Sequence, residues 1–434
     1  MKPLITLINP PVYDFAAASP WSRPIGLLEV AGYLSRFRAG LRLIDCMEAF
    51  HGRGLGTGRH PCEAVPAPEV LRGVPRGFKR FGMGRDELAR RLRAGPRPDI
   101  VLVAAPMSHW YPGAEEAIAL VKSMAPGLPV VLGGAYPTLW TAHAAARSGA
   151  DFIYTGPVGT ALKAAFRTFG LTLRERHRPR PWWRLGLSGG LPFAPVLTSR
   201  GCPWRCPYCA SHILAGPFSQ RPPGEVAAEI RGLYALGVRD FAFYDDALLV
   251  NAGAHLEAML KEVAPFVPGA RFHCPNGLHA ALMDRELAMV MKRAGFRTLR
   301  LSLETVNEER QKALGGKVTA DGLRGAVAAL KAAGFSGGQV GVRLMCGLPG
   351  QPLSEVREGV RFLKALGVRI HLAEFSPVPG TGSWEELGKM GVVGEGFDPL
   401  LTNNTAFTLL FSGYSPTALE ALKLEARAHN EALR

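Results

Sequence analysis

Short apolar runs alternate with segments of helical periodicity along most of this chain. The runs "LITLI" at residues 4–8 and "DIVLVAA" at residues 99–105 are each followed by a pattern typical of an amphipathic helix. Strands have continuous apolar sequences when helices cover both faces of a parallel sheet. The pattern therefore predicts an α/β fold with parallel strands, and the length of 434 residues favours two domains over one.

The first half of the chain, residues 1–170, is predicted to form a five-stranded doubly wound sheet of the Rossmann-like type. A Gly-, Arg- and Pro-rich stretch at about 46–98 interrupts its strands and helices, and we expect an insertion there with one helix near residues 86–93. Residues 171–192, which are basic and carry a pair of tryptophans, are expected to link the two halves.

The second half, residues 193–380, repeats the strand and helix unit six times. Six parallel strands with right-handed crossovers curl toward a barrel, but closure needs eight, so we expect a partial (β/α)6 barrel that is open on one side. Residues 381–434 are expected to form a small, mostly helical C-terminal segment. The predicted barrel strands lie near residues 194–200, 239–245, 270–275, 298–304, 339–346 and 370–376.

The composition argues against a membrane-spanning or secreted chain. No apolar stretch reaches the roughly 18 residues of a membrane-spanning helix, and the N-terminus lacks the pattern of a secretory signal, so we expect a cytoplasmic protein. The net charge of +15 comes mostly from arginine in a chain rich in Gly, Pro and Ala, and it does not by itself indicate a nucleic-acid partner. A metal-bearing nucleic-acid-binding protein, built on the basic linker and insertion, is the alternative from another functional class.

Three cysteines lie within eight residues in "CPWRCPYC", at Cys202, Cys206 and Cys209. In a chain of this length with seven cysteines, such crowding indicates a metal or redox site rather than a disulfide framework. The three thiolates can bind three irons of a 4Fe-4S cluster and leave the fourth iron open. Structural zinc sites need four ligands, so a zinc site here would have to be completed by His212 or a distant cysteine.

The cysteine loop directly follows the first predicted barrel strand. Barrel enzymes place their chemistry at the C-terminal ends of their strands, so the other strand ends should face the same space. The polar residues at these ends are Asp245, Asp246, Asn276, Ser302, Glu304, Arg343 and Glu374. The acids among them are expected either to bind a ligand or to form salt bridges with neighbouring arginines.

The spacing of the three cysteines, with an aromatic residue directly before the last one, resembles the motif of the radical S-adenosylmethionine (SAM) enzymes. The resemblance covers most of the second half. It implies a 4Fe-4S cluster whose fourth iron binds SAM, and an electron donor such as flavodoxin or ferredoxin that drives formation of a 5'-deoxyadenosyl radical. The SAM-binding residues that it implies are Tyr208 by the adenine, Asp245 and Asp246 by the amino group, Ser302 and Glu304 by the ribose or carboxylate, and Arg343.

The first half resembles the cobalamin-binding domain that is fused to many radical SAM enzymes, in its segments at residues 8–11, 23–36, 129–138 and 151–159. Doubly wound sheets bind ligands at the carboxyl ends of their strands. The resemblance implies that cobalamin is bound near Asn9, Pro10, His109, Gly133, Gly134, Ala135 and Gly156. The chain lacks the D-x-H-x-x-G pattern of other cobalamin proteins, and the family's G-E-G-E turn is here Gly156-Pro157-Val158-Gly159, without either glutamate.

The two resemblances together imply a methyltransferase that acts on an unactivated carbon of its substrate, which we expect to be a small molecule, a lipid or a peptide. The alternative is a radical rearrangement or cyclisation without methylation, with cobalamin as an electron carrier or absent. No catalytic residue beyond the cofactor ligands is identified from the sequence.

Overall fold

The computed structural model describes residues 2–17, 21, 23–48, 51–54, 57–176, 180–187 and 193–433, without the side chains of residues 51–59 and 160. The chain divides into two compact units. The first comprises Met1–Gly190 with Gly396–Asn403, and the second comprises Leu191–Glu395 with Asn404–Arg434. Residues 396–403, which fall in the predicted C-terminal segment, thus belong to the first unit.

The first unit is built on a five-stranded parallel sheet. Its strands are β1 (Leu4–Asn9), β2 (Val12–Asp14), β3 (Gly40–Asp45), β4 (His51–Gly54), β5 (Thr57–Arg59), β6 (Cys62–Ala64), β7 (Lys79–Phe81), β8 (Ile100–Ala104), β9 (Val130–Gly133) and β10 (Phe152–Ile153). Its helices are α1 (Ile25–Leu34), α2 (Arg85–Arg93), α3 (Tyr111–Met124), α4 (Ala135–Leu139), α5 (Thr141–Arg147) and α6 (Thr160–Thr168). The main sheet has the order β10-β9-β8-β1-β3, which confirms the predicted doubly wound fold.

The apolar residues that recur along the strands and helices of this unit form its core. Ile5 and Leu7 of β1 pack with Leu27 and Ala31 of α1 and with Phe166 of α6, and all five side chains are buried. Each large apolar side chain buried in this way contributes about 1.5–3 kcal/mol. The packing fixes the central strand, and therefore the loop that follows its carboxyl end.

The predicted insertion contains more than the expected helix. Helix α2 lies where it was predicted, but β2, β7 and β6 also form a three-stranded antiparallel sheet. Val12 and Cys62 both pair with Phe81 of the middle strand. Each of these strands has three residues, which is too short for an alternating pattern to be read from the sequence.

Part of the predicted linker is attached to the first unit. Arg38 N donates to Arg174 O at 2.8 Å and Arg176 N donates to Arg36 O at 2.7 Å. Trp182 is buried. Residues 177–179 and 188–192 of the predicted linker lie outside the described residues.

The second unit is built on a six-stranded parallel sheet. Its strands are β11 (Ala194–Val196), β12 (Ser199–Arg200), β13 (Ser219–Gln220), β14 (Asp240–Phe243), β15 (Arg271–His273), β16 (Phe296–Leu303), β17 (Val340–Cys346) and β18 (Arg369–Glu374). The sheet has the order β11-β14-β15-β16-β17-β18, with open edges at β11 and β18, and this confirms the predicted partial barrel. Strands β12 and β13 form a separate antiparallel ribbon at the cysteine loop.

Helices connect the parallel strands and cover one face of the sheet. They are α7 (Ser211–Leu214), α8 (Pro223–Ala235), α9 (Ala258–Val263), α10 (Arg285–Ala294), α11 (Glu308–Ala313), α12 (Ala320–Ala332), α13 (Leu353–Ala365), α14 (Gly382–Lys389), α15 (Asn404–Phe411) and α16 (Pro416–Ala432). Among the described residues, no helix has the length and apolar character that crossing a bilayer requires.

The last helix, α16, protects one open edge of the sheet. The side chain of Asn430 donates to the carbonyl of Ile370 at 2.8 Å and accepts from its N–H at 2.7 Å. These bonds replace the ladder that a further strand would supply, so the backbone of β18 is not left free to pair with another chain.

Candidate functional site

The cysteine loop begins at a glycine that no other residue could replace without a shift of the backbone. Gly201 has φ of +70°, and a Cβ there would lie 2.8 Å from the carbonyl oxygen of Gly216. Further along the loop, Cys209 N donates to Cys206 O at 3.0 Å. The close approach at Gly201 and the tight turn between Cys206 and Cys209 bring the three cysteines into one compact loop.

The three thiols offer the donors that a 4Fe-4S cluster needs. Cys206 is buried, whereas Cys202 and Cys209 are half-buried, and none of them forms a disulfide. Burial raises the pKa of Cys202 and Cys209, and backbone N–H groups partly oppose this effect. A bound metal would favour the thiolate form. Among the described residues, no three His, Cys, Asp or Glu side chains are arranged to hold a single metal ion.

A pair of stacked rings holds the middle of the loop. The rings of Trp204 and His279 lie with their centroids 3.7 Å apart and their planes at 28°. His279 is buried, and burial together with the charge of Lys317 lowers its pKa to about 3, so the imidazole is neutral at pH 7. The stack ties the segment between Cys202 and Cys206 to the chain after β15.

Asp245 is placed beneath the loop rather than in open space. Its carboxylate accepts hydrogen bonds from the backbone N–H groups of Thr198 and Ser199, at 3.0 and 2.6 Å, and from their hydroxyls at 2.7 and 2.6 Å. Burial raises the pKa of Asp245, and these bonds act against the rise. The residue thus fixes the strand that leads into the cysteine loop. Its neighbour Asp246 is exposed and accepts from Ser211 Oγ at 2.5 Å.

Tyr208 and Glu304, predicted from separate motifs, are in direct contact. The hydroxyl of Tyr208 donates to Glu304 Oε1 at 2.6 Å, and the glutamate is buried. Burial, followed by the charge of Glu304, raises the pKa of Tyr208 well above its ordinary value. The bond connects the cysteine loop to the end of β16.

Ser302 and Arg343 stand on neighbouring strands and both reach the segment after β15. The register pairs the two residues directly. A Cβ at Gly277 would lie 1.9 Å from Ser302 Oγ, and Arg343 Nη2 donates to Pro275 O at 2.5 Å. Gly277 is therefore required for this approach, although no motif or spacing singles it out.

Two other polar residues at the strand ends are engaged elsewhere. Asn276 Nδ2 donates to Tyr244 O at 2.7 Å. Glu374 accepts from Lys423 of α16 at 2.7 Å and from Thr405 at 3.1 Å, so its carboxylate is turned toward the C-terminal helices.

The residues predicted to hold cobalamin lie at strand ends of the first unit. Asn9 Nδ2 donates to Asp45 Oδ1 at 2.7 Å, and Pro10 is buried. Gly134 has φ of +115°, and a Cβ there would lie 2.5 Å from Ala105 O. It stands between Gly133, which ends β9, and Ala135, which begins α4. Gly156 has φ of +104°, and the space around its Cα is open.

His109 is buried against an aspartate of its own unit. Its Nε2 lies 3.6 Å from Asp14 Oδ2. Asp14 also accepts from Trp110 Nε1 at 2.6 Å and from Asn403 Nδ2 at 2.9 Å. Burial opposes the ionisation of Asp14, but these bonds and the charge of His109 hold its pKa below its ordinary value.

Comparison with known proteins identifies the second unit. Residues 196–363 match the model of the Radical SAM superfamily, so this part of the chain is a radical SAM domain. An uncharacterised methyltransferase of Pyrococcus horikoshii is 27% identical over 204 residues, which are 45% of this chain and 42% of that protein. The chain thus spans less than half of the length of this relative.

Two solved structures share the fold of the whole chain. The radical SAM methyltransferase TsrM from Kitasatospora setae, with cobalamin and a [4Fe-4S] cluster bound, has a TM-score of 0.67 at 16% identity and covers 100% of this chain and 91% of its own. The cobalamin-dependent SAM radical enzyme OxsB has a TM-score of 0.64 at 12% identity, covering 99% of this chain and 71% of its own. At these identities the likeness establishes the fold of both halves.

Proposed function

We propose that this chain is a cobalamin-dependent radical SAM enzyme that methylates an unactivated carbon of a small molecule. The observation that carries the proposal is the loop of three thiols at the strand ends of a parallel sheet, inside a radical SAM domain. The fold shared with TsrM and OxsB supports the cobalamin part.

In this proposal a reduced 4Fe-4S cluster supplies the electron that cleaves SAM, and methylated cobalamin supplies the methyl group. Cys202, Cys206 and Cys209 hold the cluster, and the stack of Trp204 on His279 keeps their loop in place. The half-buried setting of the thiols limits the access of water. The electron is expected to come from a partner such as flavodoxin or ferredoxin.

SAM is proposed to lie between the cysteine loop and the ends of the central strands. The exposed carboxylate of Asp246 is free to accept from the ammonium group, and Glu304 with Tyr208 offers acceptors and a donor to the ribose. Ser302 and Arg343 are proposed to bind the carboxylate of SAM. Asp245 is proposed to position the loop and not to touch SAM, because the chain itself occupies its carboxylate.

Cobalamin is proposed to bind the first unit through backbone groups in its turns and through the shape of those turns, not through side chains. The side chains of Asn9 and His109 already have partners within that unit, whereas Pro10, the turn of Gly133 to Ala135 and the open turn at Gly156 present backbone groups. Small residues let such groups approach a large ligand. No protein bond from His109 to cobalt is proposed, in keeping with the missing D-x-H-x-x-G pattern.

A small-molecule substrate is favoured by the relatives. TsrM has also been solved with tryptophan as substrate and a SAM analogue bound, and the Pyrococcus horikoshii relative is described as a methyltransferase. Lipid and peptide substrates are the other outcomes that a substrate screen would report.

The proposal is tested by anaerobic purification with cobalamin supplied, followed by absorbance spectra and analysis of the products formed from SAM. We expect the absorbance of a 4Fe-4S cluster and of cobalamin, and both 5'-deoxyadenosine and S-adenosylhomocysteine once a substrate is present. 5'-Deoxyadenosine alone would instead indicate a rearrangement or cyclisation without methyl transfer.

The matched variants are Cys206→Ala and Cys62→Ala. The first removes a thiol of the loop and should abolish cluster absorbance and reductive cleavage of SAM. The second removes the exposed thiol of strand β6 and should leave both unchanged. A protein that holds zinc at the loop, or that binds RNA with steep salt dependence without cleaving SAM, would contradict the proposal.

A further inference from the structure

Basic side chains cluster on one face of strands β16, β17 and β18. The register pairs Arg300 with Gly341 and Gly341 with Arg369, and one step further it pairs Arg343 with His371. Residues two apart on a strand share a face, so these side chains are neighbours.

This face is the inner face of the partial barrel. On the opposite face, Leu344 packs directly against α13, because a Cβ at Gly359 of that helix would lie 2.7 Å from Leu344 Cδ2. The helices of a β/α barrel surround the sheet. The residues that alternate with Leu344, including Gly341 and Arg343, therefore point away from the helices and into the barrel.

Gly341 allows side chains from the two flanking strands to meet. A Cβ at this position would lie 2.9 Å from Nε2 and Cδ2 of His371 and 3.0 Å from Cδ of Arg300. Any other residue would push the imidazole and the guanidinium stem apart. The glycine thus forms the floor of a small basic site.

The basic groups lack acidic partners. Among the described residues, no carboxylate lies within ion-pair distance of Arg300, Arg343 or Arg369. Arg300 Nη1 donates to Leu299 O at 3.0 Å and Arg343 donates to Pro275 O, which leaves most of their N–H donors free. Nε2 of His371 is buried and has no hydrogen-bond partner in the described part of the chain. Arg300, Arg369 and His371 are half-buried, and Arg343 is exposed. Charges that are largely removed from water are normally paired, as the buried Arg80 is with Glu116 at 2.6 Å.

The cluster is electrostatically uncompensated. Burial, followed by the charges of Arg369 and Arg343, lowers the pKa of Arg300 to about 10, so its guanidinium stays charged at pH 7. Burial and the three arginines lower the pKa of His371 to about 3, which keeps its imidazole neutral. Planar guanidinium groups bind carboxylate and phosphate through paired N–H donors. An anion in the barrel would satisfy both the charge and the free donors.

We propose that Arg300, Arg369 and His371 bind an anionic group of the substrate, either a carboxylate or a phosphate, while Arg343 is left to the carboxylate of SAM. Arg300 precedes Ser302 on β16, and Glu304 follows the end of that strand, so the anion would lie deeper in the barrel than the proposed SAM contacts. The opposite end of the substrate would then point toward the cysteine loop. The inference rests on the proposed function, because it concerns the molecule whose carbon is attacked.

The test measures binding of inorganic phosphate and of acetate to the reconstituted protein by calorimetry. We expect the wild type to bind at least one of them, and Arg300→Gln and Arg369→Gln each to weaken binding at least tenfold. Arg357→Gln, on the exposed face of α13, is the control and should bind as the wild type does. Thermal melts show whether each variant is folded. If Arg300→Gln does not fold, Arg369→Gln alone tests the site.

Two further measurements separate the sources of failure. Saturating SAM should leave anion binding intact; if SAM displaces phosphate competitively, the arginines hold the carboxylate of SAM and the inference is overturned. Cluster absorbance and SAM cleavage are recorded on the same preparations. A preparation that has the cluster and cleaves SAM but binds neither anion overturns this inference alone. Binding of an anion without any cluster supports the anion site and contradicts the proposed function.

Discussion

The acidic groups at Asp14 and Glu116 in the first unit differ from the arginines inside the barrel of the second unit in whether partners of opposite charge surround them. In the first unit Asp14 and Glu116 are saturated by partners from the same unit, and Glu116 alone bonds to Tyr13, Arg80 and Arg85. In the second unit three thiols share one loop, and the arginines inside the barrel have no acidic partner among the described residues.

The difference indicates which groups of each unit can bind a ligand. A network in which every polar side chain is hydrogen-bonded stabilises the fold, and only backbone groups then remain to contact a ligand. Side-chain donors without partners can instead bind a ligand directly. Mutation of Asp14 or Glu116 in the first unit is therefore expected to act mainly through stability, and mutation of the thiols or the barrel arginines in the second unit mainly through ligand binding. The predictions that follow test that contrast.

The largest expected effect is that of Glu116→Ala in the first unit. The change leaves Arg80, which is 2% exposed, without its main partner. Removal of one member of a buried ion pair typically costs about 3–5 kcal/mol. The free energy of unfolding, followed by denaturant titration, should fall by this amount.

Arg300→Gln is the matched change in the second unit. It removes a charge that has no acidic partner, so we expect a loss of stability below about 1 kcal/mol, or a small gain. If this variant is destabilised as much as Glu116→Ala, the contrast between the units is wrong.

Asp245→Ala should disorder the cysteine loop, because Asp245 fixes the strand that leads into it. The two hydroxyls can rotate to other acceptors, but the two backbone N–H groups would lose theirs. Each buried unsatisfied group costs about 1–3 kcal/mol, so we expect a loss of at least about 2 kcal/mol with poor cluster incorporation. Asp246→Ala, at the exposed neighbour, should retain stability and the cluster but weaken SAM binding. Iron content and SAM affinity distinguish the two, and equal loss of the cluster in both would contradict the assigned roles.

Tyr208→Phe removes the hydroxyl that bonds to Glu304 and should weaken SAM binding by about tenfold, equivalent to about 1.4 kcal/mol. The buried carboxylate would lose a donor, which disturbs its position at the proposed ribose site. Tyr234→Phe, whose exposed hydroxyl bonds to Pro268 O at 2.8 Å, is the control. Unchanged SAM affinity in Tyr208→Phe would argue against this site.

The smallest expected effect is on the pH dependence of stability. Because its partners hold the folded-state pKa of Asp14 below its ordinary value of 3.8, the stabilisation is fully present above that value and is lost as the pH falls through the folded pKa. The variant Asp14→Asn should show a shallower loss of stability in acid, by about 1 kcal/mol. The raised pKa of Asp245 has the opposite sign, so ionisation of that residue opposes folding as the pH rises.

Both parallel sheets could be predicted from hydrophobic periodicity. Most of their strands and helices are long enough to show an apolar run or an amphipathic repeat within their own sequence. Strands β16 and β17 and helix α2 lie within a few residues of their expected places. The antiparallel sheet of the insertion was missed because three-residue strands carry no such pattern.

The thiols of the site could be predicted because their spacing is local. Tyr208 and Glu304 are both predicted from the family resemblance, and the structure places them in contact. Three features could not be predicted: the stack of Trp204 on His279, the bonds that occupy Asp245, and the arginines inside the barrel. Each depends on which residues of distant strands stand side by side. That register is set by packing of the whole sheet, and no short motif encodes it.

The segment at 396–403 has a consequence for biosynthesis. Asn403, which donates to Asp14, is separated from it by 389 residues, so the first unit contains a piece of chain that leaves the ribosome long after the rest of it. At roughly 5–20 residues per second, the delay is roughly 20–80 s. During that interval the nascent N-terminal half has an incomplete interior around Asp14 and His109. It is then exposed to proteases and chaperones until residues 396–403 have left the ribosome.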